Sequence, residues 1–151
     1  MTTIAWDGET LAADRRADYG NMKLDATKIF WLEGATRPAN IEHAVLFAWS
    51  GMYQAGLAVK AWLEMKADKP SLTSDDGSGM IVTQHREVFR LENRLVPIPV
   101  VEKFYAMGSG RDFAMAAMAL NQTAVQAVVL ASKFDAYTGP LIHSILFEDK
   151  A

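Results

Sequence analysis

The chain has no cysteine among its 151 residues, which excludes a disulfide framework, a thiol nucleophile and a cysteine metal centre. Histidine is nearly as scarce. His43, His85 and His143 stand isolated in the sequence, and each reads as a surface or packing residue rather than a ligand. No metal and no organic cofactor is expected. Charge of one sign is also lacking, because 15 Lys and Arg against 18 Asp and Glu leave a formal net charge of -3 without a basic block. Nucleic acid and anionic membranes are therefore not expected partners. Long apolar runs are missing as well: the most apolar stretch toward the C-terminal side is interrupted by Asn121-Gln122. The N-terminus shows no basic region followed by an apolar run, so the protein is expected to be cytoplasmic. What the chain does have is a hydrophobic content of 50%, enough for one domain over residues 1–151 with a real core and a single site.

The most informative residues are the first, Met1-Thr2-Thr3-Ile4-Ala5-Trp6. Loss of one methionine would leave Thr2 with both a hydroxyl and a free α-amine, a nucleophile and its base in one residue. A threonine hydroxyl is a poor nucleophile at neutral pH, whereas an α-amine of pKa about 7.7–8.0 is well matched to accept its proton. Thr2 is small, the kind of residue behind which an initiator methionine is readily trimmed. If Met1 stays, the amine is an amide and the chemistry is lost.

Along the chain, Thr2–Trp6 and Glu9–Asp14 read as two β-strands joined by Asp7-Gly8, the dipeptide of a type I′ hairpin turn. This brings Thr2 and Asp14 to corresponding ends of paired strands. A polar connection with Gly20 leads to a strand over Thr27–Leu32, and Ala44–Trp49 forms another that ends at Ser50-Gly51. Ala55, Ala58, Val59, Trp62 and Leu63 recur at helical spacing, so Met52–Lys66 is an amphipathic helix. Ala67–Gly79 reads as a loop. Strands follow at Met80–Thr83, Val88–Leu91, Leu95–Val101 and Lys103–Met107, with Pro97 and Pro99 marking an edge strand. Gly108-Ser109-Gly110 opens a helix through Leu120, and the capping box Thr123-Ala124-Val125-Gln126 starts a second one to about Phe134. Leu141–Phe147 closes the chain as a strand. This order fits an α+β protein of two packed sheets covered by helices, not alternating βαβ units.

Five segments carry a resemblance: Thr2-Thr3-Ile4-Ala5, Leu11 to Ala17 (LAADRRA), Lys28-Ile29, Tyr105 to Gly110 (YAMGSG) and Asp135 to Gly139 (DAYTG). In order and near spacing, the chain resembles the proteasome β-subunit family and its bacterial relative HslV, both N-terminal-nucleophile hydrolases. The resemblance implies a four-layer αββα sandwich. It implies that Thr2 is the nucleophile and that Asp14 and Lys28 complete the catalytic trio. A lysine ammonium beside Thr2 would lower the pKa of the amine and hydroxyl, and a carboxylate would hold that lysine charged. Ser109, Asp135 and Thr138 fall on the family's supporting cluster around the amine, with Thr138 where a serine is usual.

The same resemblance makes Ser50 and Gly51 the stretch that supplies the backbone oxyanion donor, and Arg16, Ala17 and Asp18 the strand edge that pairs with an extended peptide. It departs from the family in Ser50, where a glycine is usual, and in having one helix instead of two after the glycine pair. The implied activity is a threonine-type endopeptidase acting on peptides or unfolded proteins within a homo-oligomeric ring, fed by an ATP-dependent unfoldase. The helices after Gly110 carry Met115, Ala116, Met118, Ala119, Val125, Val128 and Val129, and part of this apolar surface is expected to face another subunit. The alternative is a catalytically silent structural or assembly subunit.

Overall fold

The computed structural model describes residues 2–19, 21–34, 36 and 43–149; Met1 and Gly20 lie outside the described residues. In chain order its strands are β1 (Thr3–Trp6), β2 (Thr10–Asp14), β3 (Arg16–Tyr19), β4 (Met22–Asp25), β5 (Ile29–Trp31) and β6 (Ala44–Gly51). Helix α1 (Tyr53–Leu63) follows, then β7 (Gly77–Thr83), β8 (Val88–Leu91), β9 (Ile98–Val100) and β10 (Tyr105–Gly108). Helices α2 (Arg111–Ala119) and α3 (Ala124–Phe134) precede β11 (Ile142–Leu146). The chain divides into two units, Met1–Ile29 with Glu102–Ala151, and Phe30–Val101. Each is a sheet with helical cover, the half that an αββα fold contains twice.

In the first unit the sheet runs β10-β1-β2-β11, all antiparallel. Its helix-facing side is made of small residues: Ala5, Ala12 and Ala106 cluster with Ala114, Ala117, Met118, Ala124, Ala127 and Val128 of α2 and α3. Short side chains let the helices approach the strands closely, and their burial supplies the drive. The capping box appears as expected, with the Thr123 hydroxyl accepting from the Gln126 N–H at 3.2 Å and the Gln126 side chain accepting from the Thr123 N–H at 2.9 Å. On the outer faces Ala116, Ala119 and Val129 are exposed while Met115 and Val125 are half-buried and Met118 and Val128 buried. Phe113 and Phe134, both exposed, stack there with centroids 5.7 Å apart.

Two features of this unit differ from expectation. The first turn is not type I′, which needs positive φ at both central residues; only Gly8 has it, at 100°. Instead the Asp7 carboxylate accepts the N–H groups of Glu9 and Thr10 at 2.9 and 2.8 Å, and its other oxygen accepts the Ala124 N–H at 2.8 Å. Trp6 consequently pairs with Leu11 rather than Glu9. Second, the polar connection contains a ribbon, β3 paired with β4. Its residues are largely exposed, so no apolar alternation marks it; the Arg15–Asp25 pair at 2.7 Å joins the chain at its base.

The second unit has the sheet order β5-β6-β7-β8-β9, with β9 on the edge where Pro99 is tolerated. Its core is larger-grained: Phe47, Trp49, Val59, Leu63, Ile81 and Leu91 pack together, with Phe30, Trp62 and Phe89 against them. Trp49 fits because Gly56 and Gly79 have no Cβ; one added at either would lie 2.7 Å from the indole. Helix α1 buries Ala55, Gly56, Val59 and Leu63 and ends earlier than Lys66, since Met65 takes a left-handed φ of 61°. Within Ala67–Gly79, residues Ser74–Asp76 form a single 3-10 turn and β7 already begins at Gly77.

Candidate active site

Residues 2 and 3 leave the sheet end between two polar groupings, both within the first unit. Asp14, the last residue of β2, is completely buried. A buried carboxylate is tolerated only when its oxygens are satisfied, and four donors do so. One oxygen accepts the Thr3 N–H at 2.9 Å and the Lys28 ammonium at 3.0 Å. The other accepts the Gly139 N–H at 3.0 Å and the Arg16 N–H at 3.3 Å. Lys28 is itself 7% exposed. Burial pulls its pKa below the ordinary lysine value, and the adjoining Asp14 carboxylate offsets part of that pull. A lysine held this way is a cation whose proton is easier to give up than that of a solvated one.

The second grouping comes from the turn before α2 and the segment after α3. Ser109 donates to Asp135 Oδ2 at 2.6 Å, and Thr138 donates to the same oxygen at 2.5 Å. Ser109 Oγ also lies 3.3 Å from the carbonyl oxygen of Thr2. Partial burial pushes the Asp135 carboxyl up, but the hydrogen bonds from Ser109, Thr138 and the Tyr137 backbone outweigh it and hold the pKa below the usual value. The carboxylate is thus ionised and acts as an anchor. Thr2 is buried, at 4% exposure.

Thr2, Asp14, Lys28, Ser109, Asp135 and Thr138 are therefore all in one unit, five of them bonded in two groupings whose contacts meet at residues 2 and 3. Arg16, Ala17 and Asp18 lie on β3, where Arg16 binds the Asp18 carboxylate at 2.9 Å and the Ala136 carbonyl at 3.0 Å. The Arg16 hydrogen bond holds the Asp18 pKa below its ordinary value. Ser50 and Gly51 end β6 in the second unit, opposite Ser78 and Gly77. Gly51 has φ of 138°, and a Cβ on it would meet Gly77 Cα at 2.5 Å, so glycine is required there. Among the described residues no three His, Cys, Asp or Glu side chains converge as a metal site needs.

Two contributors were not singled out in the sequence, Thr3 and Gly110. A Cβ on Gly110 would come within 2.0 Å of Thr3 Oγ1 and 3.0 Å of Ala131 Cβ. A hydroxyl residue inside the fully buried run Thr3–Trp6 was the available signal, since a buried hydroxyl needs a partner.

No family model matches the sequence. No curated protein matches it either. Solved structures do match in shape. Thiobacillus denitrificans BPH in complex with epoxomicin superposes with a TM-score of 0.67 at 19% identity, over 95% of this chain and 96% of that one. HslV from Trypanosoma brucei gives 0.62 at 18% identity, over 95% and 97%. A second Thiobacillus denitrificans BPH structure gives 0.56 at 18%, over 95% of both chains. The three α-helices among the described residues, packed on antiparallel sheets in this order and with this likeness, show that the chain has the fold of the HslV and proteasome-like N-terminal-nucleophile hydrolases.

Proposed function

We propose that the protein is a threonine-type endopeptidase whose nucleophile is Thr2 after removal of Met1. The observation that carries this reading is the meeting of two satisfied polar groupings at residues 2 and 3, in the fold of HslV. A packing role does not call for a buried Lys–Asp pair and a half-buried hydroxyl–carboxylate cluster beside the same two residues. Thr2 Oγ attacks the scissile carbonyl carbon, and its proton passes to the α-amine of the same residue. Lys28, oriented by Asp14, stabilises the developing alkoxide and keeps the amine unprotonated. The tetrahedral species collapses, the peptide C–N bond breaks, and the proton moves to the departing amine. Water then hydrolyses the ester, and Thr2 regains its hydroxyl proton. Ser109, Asp135 and Thr138 hold the amine end in place.

The family resemblance gives the oxyanion donor to the backbone at Ser50 and Gly51 and the peptide-pairing edge to Arg16, Ala17 and Asp18. It also assigns peptides or unfolded proteins as substrate, a homo-oligomeric ring in the cytoplasm, and an ATP-dependent unfoldase as partner. The exposed Phe113–Phe134 stack, with Val129 and Leu120 beside it in sequence, is the apolar surface this reading commits to a neighbouring subunit. The test is peptide hydrolysis by wild type and Thr2→Ala, with intact mass to establish loss of Met1. Hydrolysis by wild type alone supports the peptidase. A folded oligomer that retains Met1 and cleaves nothing supports the silent assembly subunit instead.

A further inference from the structure

We propose that Thr3 is a positioning residue for the hydrolysis assigned to Thr2, an inference that rests on that reading. Thr3 is fully buried, and its two donors go to different groupings. The N–H donates to Asp14 Oδ1, the oxygen that also takes the Lys28 ammonium. The hydroxyl lies 2.6 Å from Thr138 Oγ1.

Proton counting fixes the direction of that second bond. A threonine hydroxyl has one hydrogen, and Thr138 gives its own to Asp135 Oδ2. Thr3 must therefore donate to Thr138. The chain Thr3 to Thr138 to Asp135 ends on an anion that also accepts from Ser109, and successive hydroxyls in such a chain polarise one another. The one hydrogen of Ser109 is committed to Asp135, and its oxygen lies 3.3 Å from the carbonyl oxygen of Thr2. Residue 3 is thereby held at its backbone N–H by Asp14 and at its hydroxyl by Thr138, and this double hold stops the peptide that joins residues 2 and 3 from rotating. Gly110 closes the space on the remaining side, since any Cβ there would overlap Thr3 Oγ1. This is a clamp on the backbone that carries the nucleophile, not a group that meets substrate.

Misplacing a reacting group by 1 Å can cost roughly 100-fold in rate, so the loss belongs in kcat. The experiment compares wild type, Thr3→Val, Thr3→Ser and Thr3→Ala, each with residue 1 removed, on a panel of fluorogenic peptide amides. Thr3→Val keeps the shape and removes the donor; its kcat should fall roughly 10- to 100-fold with KM unchanged. Thr3→Ser and Thr3→Ala both lose the methyl and differ only in the hydroxyl. Thr3→Ser should stay within about threefold of wild type while Thr3→Ala follows Thr3→Val. That pair decides the matter even if Thr3→Val does not fold. Equal kcat for Thr3→Ser and Thr3→Ala, a loss confined to KM, or a loss that only tracks the folded fraction in a melting curve would each overturn the proposal. Thr2-dependent hydrolysis that ignores Thr3 overturns this inference alone. Absence of Thr2-dependent hydrolysis in wild type overturns the peptidase reading together with it.

Discussion

Among the described residues, each unit holds one buried carboxylate tied to a lysine, and the two pairs differ in what surrounds them. Glu64, at the end of α1, accepts the Glu33 N–H at 2.8 Å and the Lys60 ammonium at 3.1 Å, with Lys66 at 3.7 Å. Lys60 is 20% exposed and Lys66 55%, so both cations keep access to water. Asp14 instead binds a lysine that is 7% exposed, and three of its donors are backbone N–H groups next to the candidate nucleophile, an arginine and a turn. One pair staples a helix end to a preceding segment. The other fixes backbone around residues 2 and 3, and its lysine loses solvation for being there.

The packing differs in the same sense. In the second unit Trp49, Phe47 and Leu91 fill the space between sheet and helix. In the first, alanines bring helices and strands close, so the turn before α2 and the segment after α3 reach the strand ends with short hydroxyl side chains. Small-residue packing is what lets Ser109, Asp135 and Thr138 meet residues 2 and 3.

The largest expected effect separates the two pairs. Asp14→Ala should destabilise the fold by about 3–5 kcal/mol, because it leaves a buried ammonium without its carboxylate, and should abolish hydrolysis. Glu64→Ala should cost about 1–3 kcal/mol and leave hydrolysis intact, since Lys60 can turn to water. Urea denaturation with a parallel peptide assay measures both, and equal costs would erase the distinction. Next comes Gly110→Ala, which forces a Cβ against Thr3 Oγ1 and Ala131; overpacking should cost about 1–3 kcal/mol and lower kcat at unchanged KM. The smallest effect concerns acid. Because the folded pKa of Asp135 is held low, its contribution to stability is complete above the unfolded value of about 3.9 and is lost as pH falls through the folded value. Asp135→Asn should therefore flatten that part of the stability–pH curve, and an unchanged acid limb would show that Asp135 is not anchored.

Much of this was readable in the sequence because the relevant signals are local. Thr123 to Gln126 announced a helix start that the structure builds atom by atom. Pro97 and Pro99 marked β9 as an edge strand, and the segments around Asp14, Lys28, Ser109 and Asp135 carried the family resemblance. What escaped was set by tertiary bonds. Asp7-Gly8 has the dipeptide of a two-residue turn, but the Asp7 carboxylate caps two backbone N–H groups and also reaches the start of α3. The longer turn slides β2 so that Asp14 reaches the N–H of Thr3. The ribbon β3–β4 is held by exposed charges and main-chain pairing, which leave no apolar period to detect. Thr3 looked like one more strand residue, since the sequence does not show that Thr138, far along the chain, receives its hydroxyl proton.

The most direct measurement is the site of covalent capture by a threonine-directed electrophile. Peptide mapping of the treated wild-type protein is predicted to find one adduct, on Thr2, in chains that have lost Met1, and to find none on Thr2→Ala. An adduct on another residue, or a folded protein without Met1 that stays unmodified and cleaves no peptide, would contradict the account.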